Sequence, residues 1–166
     1  METRDFMAGE ESCPECGIRA APGQPNCAAL RDALLARDFE QPVLYWKYHR
    51  LAIDAYCVQH SPYVKSPKSL AAHLCGLCIA FEHNNDPNKL TRLQSWLSTN
   101  PKLPKPELPS FRGSLTIADV SGIDDPVSYG KAVEAWARSA WEAYGDLHPI
   151  AREWLSVSAG CPVSRK

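Results

Sequence analysis

Cys13-Pro14-Glu15-Cys16-Gly17, followed by Cys27, limits what this chain can fold into more than any other feature. Two thiols separated by two residues can grip one tetrahedral ion, and Pro14 with Gly17 favours the tight knuckle that turns both sulfurs the same way. Cys27 offers a third sulfur. A closed site takes four donors, so the fourth must come from elsewhere in the fold, and Zn2+ is the ion that a thiol-rich set suits. The competing reading of the same residues is a flexible N-terminal tail whose cysteines bind nothing.

Seven cysteines, at positions 13, 16, 27, 57, 75, 78 and 161, are an odd number for a disulfide framework. They read better as ligands plus buried thiols in a reducing compartment. Residues 1–12 are polar and acidic, without the basic and apolar regions of a secretory signal, and no later stretch approaches the roughly 20 apolar residues of a membrane span. The expectation is a cytoplasmic protein without a membrane segment. A formal charge of -1 supplies no drive toward nucleic acid, and the knuckle segment holds only Arg19 as a cation.

With 166 residues, 45% of them hydrophobic, the chain suffices for one core. The expected division is a disordered tail over 1–12, a single helical domain over 13–158 with the knuckle at 13–27, and a C-terminal tail over 159–166. Helical periods dominate and hairpin signals are missing. A first helix is predicted from Ala28 to Asp38, so that Cys27 lies at its N-terminus, where the partial positive charge favours a thiolate. A central helix starts at Pro42 and ends near His60, where Ser61-Pro62 stops it.

Ser66-Pro67 opens a third helix that ends before Asn84-Asn85-Asp86-Pro87. Leu90, Leu93, Trp96 and Leu97 mark a fourth, ending near Thr99. Prolines 101, 104, 106 and 109 forbid regular structure between Asn100 and Ser110, leaving an extended surface connector. Leu115 to Val120 reads as an isolated extended edge or turn. Asp125-Pro126 opens a long helix to about Tyr144 with Gly145 as its cap, and a last helix runs from Pro149 to about Ser156. The fold class is all-α, a bundle of five or six helices carrying an N-terminal Cys-x-x-Cys zinc knuckle.

Several of these segments together resemble a known family. Cys-Pro-x-Cys-Gly, the run His49-Arg50-Leu51-Ala52-Ile53-Asp54-Ala55-Tyr56 with Gln59-His60, Ser69 to Leu74 around His73, Arg112-Gly113-x-Leu115-Thr116, and Trp136-Ala137-x-x-x-Trp141 look like an uncharacterised bacterial family, the domain of unknown function 5946. The likeness covers nearly all of the chain from Cys13 to Trp154. It implies a shared fold and a shared polar site, with no named reaction. One departure is visible: Ser61 follows His60 where the family tends to have proline, which here is displaced to Pro62.

Two histidines compete for the fourth metal position. His49 and His60 share a face of the central helix but stand about 16 Å apart, so only one can join the sulfurs. If the first two helices form an antiparallel hairpin across Phe39 to Gln41, Cys27 levels with about residue 53, which favours His49 and leaves His60 as the alternative. The same reasoning levels His73 with Asp54 to Tyr56, so Tyr56, His60 and His73 are candidates for one polar cluster. That cluster is either a hydrogen-bonded core network or a functional site. Asp54 pairs more simply with Arg50 on the helix surface, although it could also orient an imidazole. Cys75 and Cys78 read as core residues rather than ligands, and His148 as a helix cap.

Three function classes follow. The first is a zinc-stabilised helical module that binds a protein or small-molecule partner. The second is a metal-dependent enzyme with a histidine-lined pocket, in which His60 or His73 would be the general base and Tyr56 a donor to developing charge. Its general plan resembles the DinB-like bundles, which hold a divalent ion with three histidines. The late H-x-x-x-H pair of those bundles is missing, since His148 is followed by Arg152. A nucleic-acid-binding zinc protein ranks last, for want of a basic face.

Overall fold

The computed structural model describes residues 11–161. Among them six α-helices carry the fold: α1 (Cys27–Glu40), α2 (Pro42–Gln59), α3 (Pro67–Glu82), α4 (Pro87–Ser98), α5 (Pro126–Ala143) and α6 (His148–Ala159). Two short strands, β1 (Glu11–Ser12) and β2 (Arg19–Ala20), pair antiparallel ahead of them, with Glu11 opposite Ala20 and Ser12 opposite Arg19. Of the two expected tails, residues 1–10 and 162–166 lie outside the described residues. Glu11 and Ser12 belong to β1, and Ala159 still belongs to α6.

Helix starts follow local chemistry closely. Asn26 caps α1 by accepting from the Ala29 amide at 2.9 Å. Ser66 and Ser69 form a reciprocal capping box at the head of α3, and Asp125 caps α5 through the Ser128 amide at 2.7 Å. Proline occupies the first position of α2, α3, α4 and α5, where its missing N–H costs nothing. Only Gln41 separates α1 from α2, which forces the two into a tight antiparallel hairpin.

Of the two readings of Leu115 to Val120 the structure has the turn: Thr116 and Asp119 cap each other around a single 3-10 turn, Ile117–Asp119, with Ile117 buried. One expectation changes. Gly145 does not end α5 in a left-handed cap. Tyr144 is the capping residue, and Gly145 opens a further 3-10 turn that leads directly into α6.

The central helix is α2, which packs against α1, α3 and α5, while α6 closes the far side over α3 and α4. Trp136, Tyr129, Tyr144, Leu70, Leu74, Leu77 and Ile79 are fully buried between these helices, each such side chain stabilising the fold by about 1.5–3 kcal/mol. The proline-rich connector crosses this body as a strap and packs Leu103 and Leu108 onto the core. Cys75 and Cys78 are buried, and the Cys75 thiol donates to the Ala151 carbonyl at 3.6 Å. Among the described residues no helix is long and apolar enough to cross a membrane.

Candidate metal centre

The knuckle is a tight loop between β1 and β2. The Gly17 amide donates to the Cys13 carbonyl at 2.9 Å, and the Cys13 amide to the Ile18 carbonyl at 2.8 Å. Gly17 supplies the left-handed backbone this turn requires, at φ 76°. Cys27 follows at the first position of α1, and His60 caps the C-terminal end of α2. Ligand atoms of Cys13, Cys16, Cys27 and His60 all lie within 4.8 Å of one another, so these four residues can hold a metal ion.

His60 is built for that role. Its Nδ1 lies 2.7 Å from the Tyr56 carbonyl; because a carbonyl only accepts, Nδ1 must carry the proton. The lone pair is then on Nε2, which is buried and has no hydrogen-bond partner. A buried imidazole nitrogen without a partner is costly unless something electrophilic meets it, and the backbone bond at the other nitrogen is the usual support for a metal-bound histidine. The Tyr56 ring stacks on His60 at 4.0 Å between centroids, and its hydroxyl reaches the Cys27 sulfur.

The thiols respond to this setting unequally. Cys13 is lowered: burial opposes its ionisation, but the amides of Cys16 and Glu15 and the neighbouring thiols outweigh it. Burial, with the Cys13 and Cys27 sulfurs beside it, pushes Cys16 up to about 12. Cys27 is also raised, by burial and by Cys13, despite its place at a helix N-terminus. Burial likewise depresses His60, which keeps its ring neutral. Ionisation is eased at Cys13 and opposed at Cys16 and Cys27; a divalent ion is what would draw the protons off.

The preference for His49 gives way to His60 for two physical reasons. Side chains lean toward the N-terminus of their helix, and the knuckle precedes α1 altogether, so the sulfurs gather beyond the level of Cys27 rather than beside it. His49 is engaged elsewhere. Its Nδ1 bonds fully buried Asp38 at 2.8 Å, and its ring stacks on Trp46 at 4.4 Å.

Nor do Tyr56, His60 and His73 converge. His73 lies on the α3 side of α2, where its Nδ1 bonds Asp54 Oδ1 at 3.0 Å while Arg50 holds Asp54 Oδ2 at 2.5 Å. Asp54 is therefore buried between two cations and is not part of a surface ion pair. Burial disfavours the His73 imidazolium, but the bonds to Asp54 and Cys57 prevail and push it up to about 10. His148 donates from Nε2 to the Trp141 carbonyl at 2.9 Å, capping α5 rather than its own helix.

A second group of donors, Cys78, Glu82 and His83, also lies within 4.8 Å. Its carboxylate is already engaged, since Glu82 accepts from Arg152 at 2.8 and 2.7 Å.

Sequence reasoning missed what anchors the knuckle. Glu15, between the two cysteines, accepts from the Ser61 amide at 3.0 Å and the Ser61 hydroxyl at 2.7 Å, and pairs with Arg112. Ser61, the departure noted above, supplies an amide that proline lacks. The signals were present as the odd residue of Cys-Pro-Glu-Cys and the arginine of Arg112-Gly113. Gly113 has φ 116°, and a Cβ there would lie 3.0 Å from Ser139 Oγ, so only glycine lets the chain next to Arg112 pass this close to α5.

Fold and site together define an all-helical protein with a Cys3His cluster able to bind a metal ion. More specifically, the model of the family of unknown function DUF5946 matches residues 11–145, and the chain belongs to that family. Comparison with curated proteins and with solved structures returns no significant match.

Proposed function

We propose that this protein is a zinc-stabilised helical binding module, in which Cys13, Cys16, Cys27 and His60 hold Zn2+ and the bundle takes a protein or small-molecule partner. The observation that carries the metal assignment is His60 Nε2, buried without a partner at three gathered sulfurs. Three thiolates and one imidazole are a tetrahedral zinc set. Four protein donors leave the ion no position for water, so its contribution is folding free energy, through closure of the knuckle onto α1 and α2.

The alternative, a metal-dependent enzyme with a histidine-lined pocket, has less behind it. Tyr56 stacks on His60 beside the gathered sulfurs while His73 is held by Asp54 on the α3 side of α2, so the three do not line one substrate space. Seven free thiols suit the cytoplasm, and the formal charge of -1 gives nucleic acid no support as a partner.

Metal analysis of the purified protein tests the reading. One equivalent of zinc is expected, lost in Cys16→Ser, together with a fall in melting temperature on chelation. A protein that takes up no zinc, or that melts identically with and without chelator, overturns it.

A further inference from the structure

A cavity of about 490 Å³ opens between α2, the C-terminal end of α3 and α5, on a part of the bundle none of the metal donors lines. Three cations border it, Lys47, Arg50 and Arg138, against one carboxylate, Glu134. In a chain with a formal charge of -1 that excess is local. Arg50 and Arg138 are each paired, with Asp54 and Glu134, whereas Lys47 has no ion-pair partner among the described residues. Asp54 is shared with the His73 imidazolium on its other side, so the Arg50 charge is only partly compensated.

Aromatic rings form the apolar part of the same cavity. The Arg138 guanidinium lies 4.4 Å over the Phe81 ring, and the Lys47 ammonium 4.9 Å over Tyr48. Two interior helix glycines make these placements possible. A Cβ at Gly130 would sit 2.3 Å from Tyr48 Cζ, and one at Gly76 would sit 2.2 Å from Asp54 Oδ2 and 2.9 Å from the Arg50 guanidinium. Glycine inside a helix costs about 1 kcal/mol relative to alanine. At both positions it seats a side chain that lines this cavity.

We infer that this cavity binds a small organic anion carrying a flat ring, of the class of an aromatic carboxylate or a nucleoside monophosphate. The cations meet the anionic group, Phe81, Tyr48 and Leu51 supply apolar lining for the ring, and the volume is that of a small-molecule site. The inference names the ligand class for the binding role proposed above and rests on that reading, but not on the metal centre.

Calorimetry with benzoate, adenosine 5′-monophosphate and inorganic phosphate as probes tests it. Benzoate or the nucleotide is expected to bind, more weakly as salt is raised. Lys47→Gln combined with Arg138→Gln is expected to reduce affinity by about tenfold or more. Both residues are exposed, so the variant should melt like the parent protein. Ala80→Phe, which fills the cavity without changing charge, should abolish binding; if it fails to fold, the charge variant decides. Failure of both ring-bearing probes, unchanged affinity in the charge variant, or equally tight binding of inorganic phosphate overturns the inference. Zinc measured in the same samples separates the two proposals: zinc without probe binding removes only the cavity, and probe binding without zinc removes only the metal centre.

Discussion

Glu15, held between the two knuckle cysteines, forms an ion pair with Arg112, 97 residues further along the chain. Arg112 in turn donates from Nε to the Pro109 carbonyl at 3.1 Å and from Nη1 to the Gln59 carbonyl at 3.3 Å. One carboxylate thus ties the candidate metal centre to the end of α2 and to the proline strap, which share no sequence neighbourhood.

Removing that tie should show in acid. Burial opposes the Glu15 carboxylate, but Ser61 and Arg112 outweigh it and hold it below its ordinary value of 4.5. A depressed carboxylate stabilises the fold above its unfolded pKa, and the contribution disappears as pH falls through the lower folded value. Glu15→Gln is expected to cost about 1–2 kcal/mol at neutral pH and to flatten the stability profile below pH about 4.5, as followed by urea denaturation across pH.

Gln59 should be among the least replaceable polar residues. Its amide donates to the Arg112 and Leu115 carbonyls at 3.0 and 2.7 Å, and its Oε1 accepts from Trp136 Nε1 at 2.8 Å, with the side chain 1% exposed. Gln59→Leu fits the space but leaves the indole N–H and two carbonyls unpaired. A loss of about 3 kcal/mol or more is expected in chemical denaturation; a neutral effect would show that the strap is not held here.

Between about pH 6.5 and 10 stability should decline through His73. Burial works against its imidazolium, yet Asp54 and Cys57 raise it to about 10. A group raised above its unfolded pKa stabilises fully below that unfolded value, and the contribution is lost as pH climbs through the folded one. Thermal melts between about pH 6.5 and 8, below the range where the raised thiols of Cys16 and Cys27 begin to titrate in the unfolded chain, are expected to fall in the parent protein and to stay nearly flat in His73→Gln. Asp54→Asn, which leaves Arg50 and His73 without their shared carboxylate, should cost about 3–5 kcal/mol.

Metal affinity should fall as pH is lowered. Cys16, pushed up to about 12 by burial and its neighbouring sulfurs, and Cys27, also raised, must each give up a proton to an incoming ion. Competition with a zinc-binding dye, read at several pH values, should report protons released on binding. His60→Ala is expected to weaken binding by about a hundredfold or more, beyond what loss of an outer partner produces. His49→Ala, whose imidazole is tied to Asp38, should leave affinity unchanged.

How far the sequence carries can be judged residue by residue. Helix starts were legible because each is a local event: Ser66-Pro67 and Asp125-Pro126 begin helices wherever they occur, since cap and proline act on their own backbone. The thiols of Cys13 and Cys16 were legible for the same reason, their spacing being set by one turn. His60 as the better-placed imidazole was not, although the helix carrying it was correctly bounded to within a residue. Its pairing with the sulfurs depends on where α1 and the knuckle lie against α2, a distance that counting residues across a link resolves only to about a helical turn.

What the chain alone determined, then, is whatever rests on contacts between near neighbours: the six helices, the knuckle and the strap. Only the tertiary structure decided which imidazole faces the sulfurs, that Glu15 reaches Arg112, and that Gly76 and Gly130 seat Arg50 and Tyr48 around one cavity. Those outcomes depend on side-chain positions to within an ångström across packed helices, and close packing fixes such positions collectively, with no local pattern to announce them.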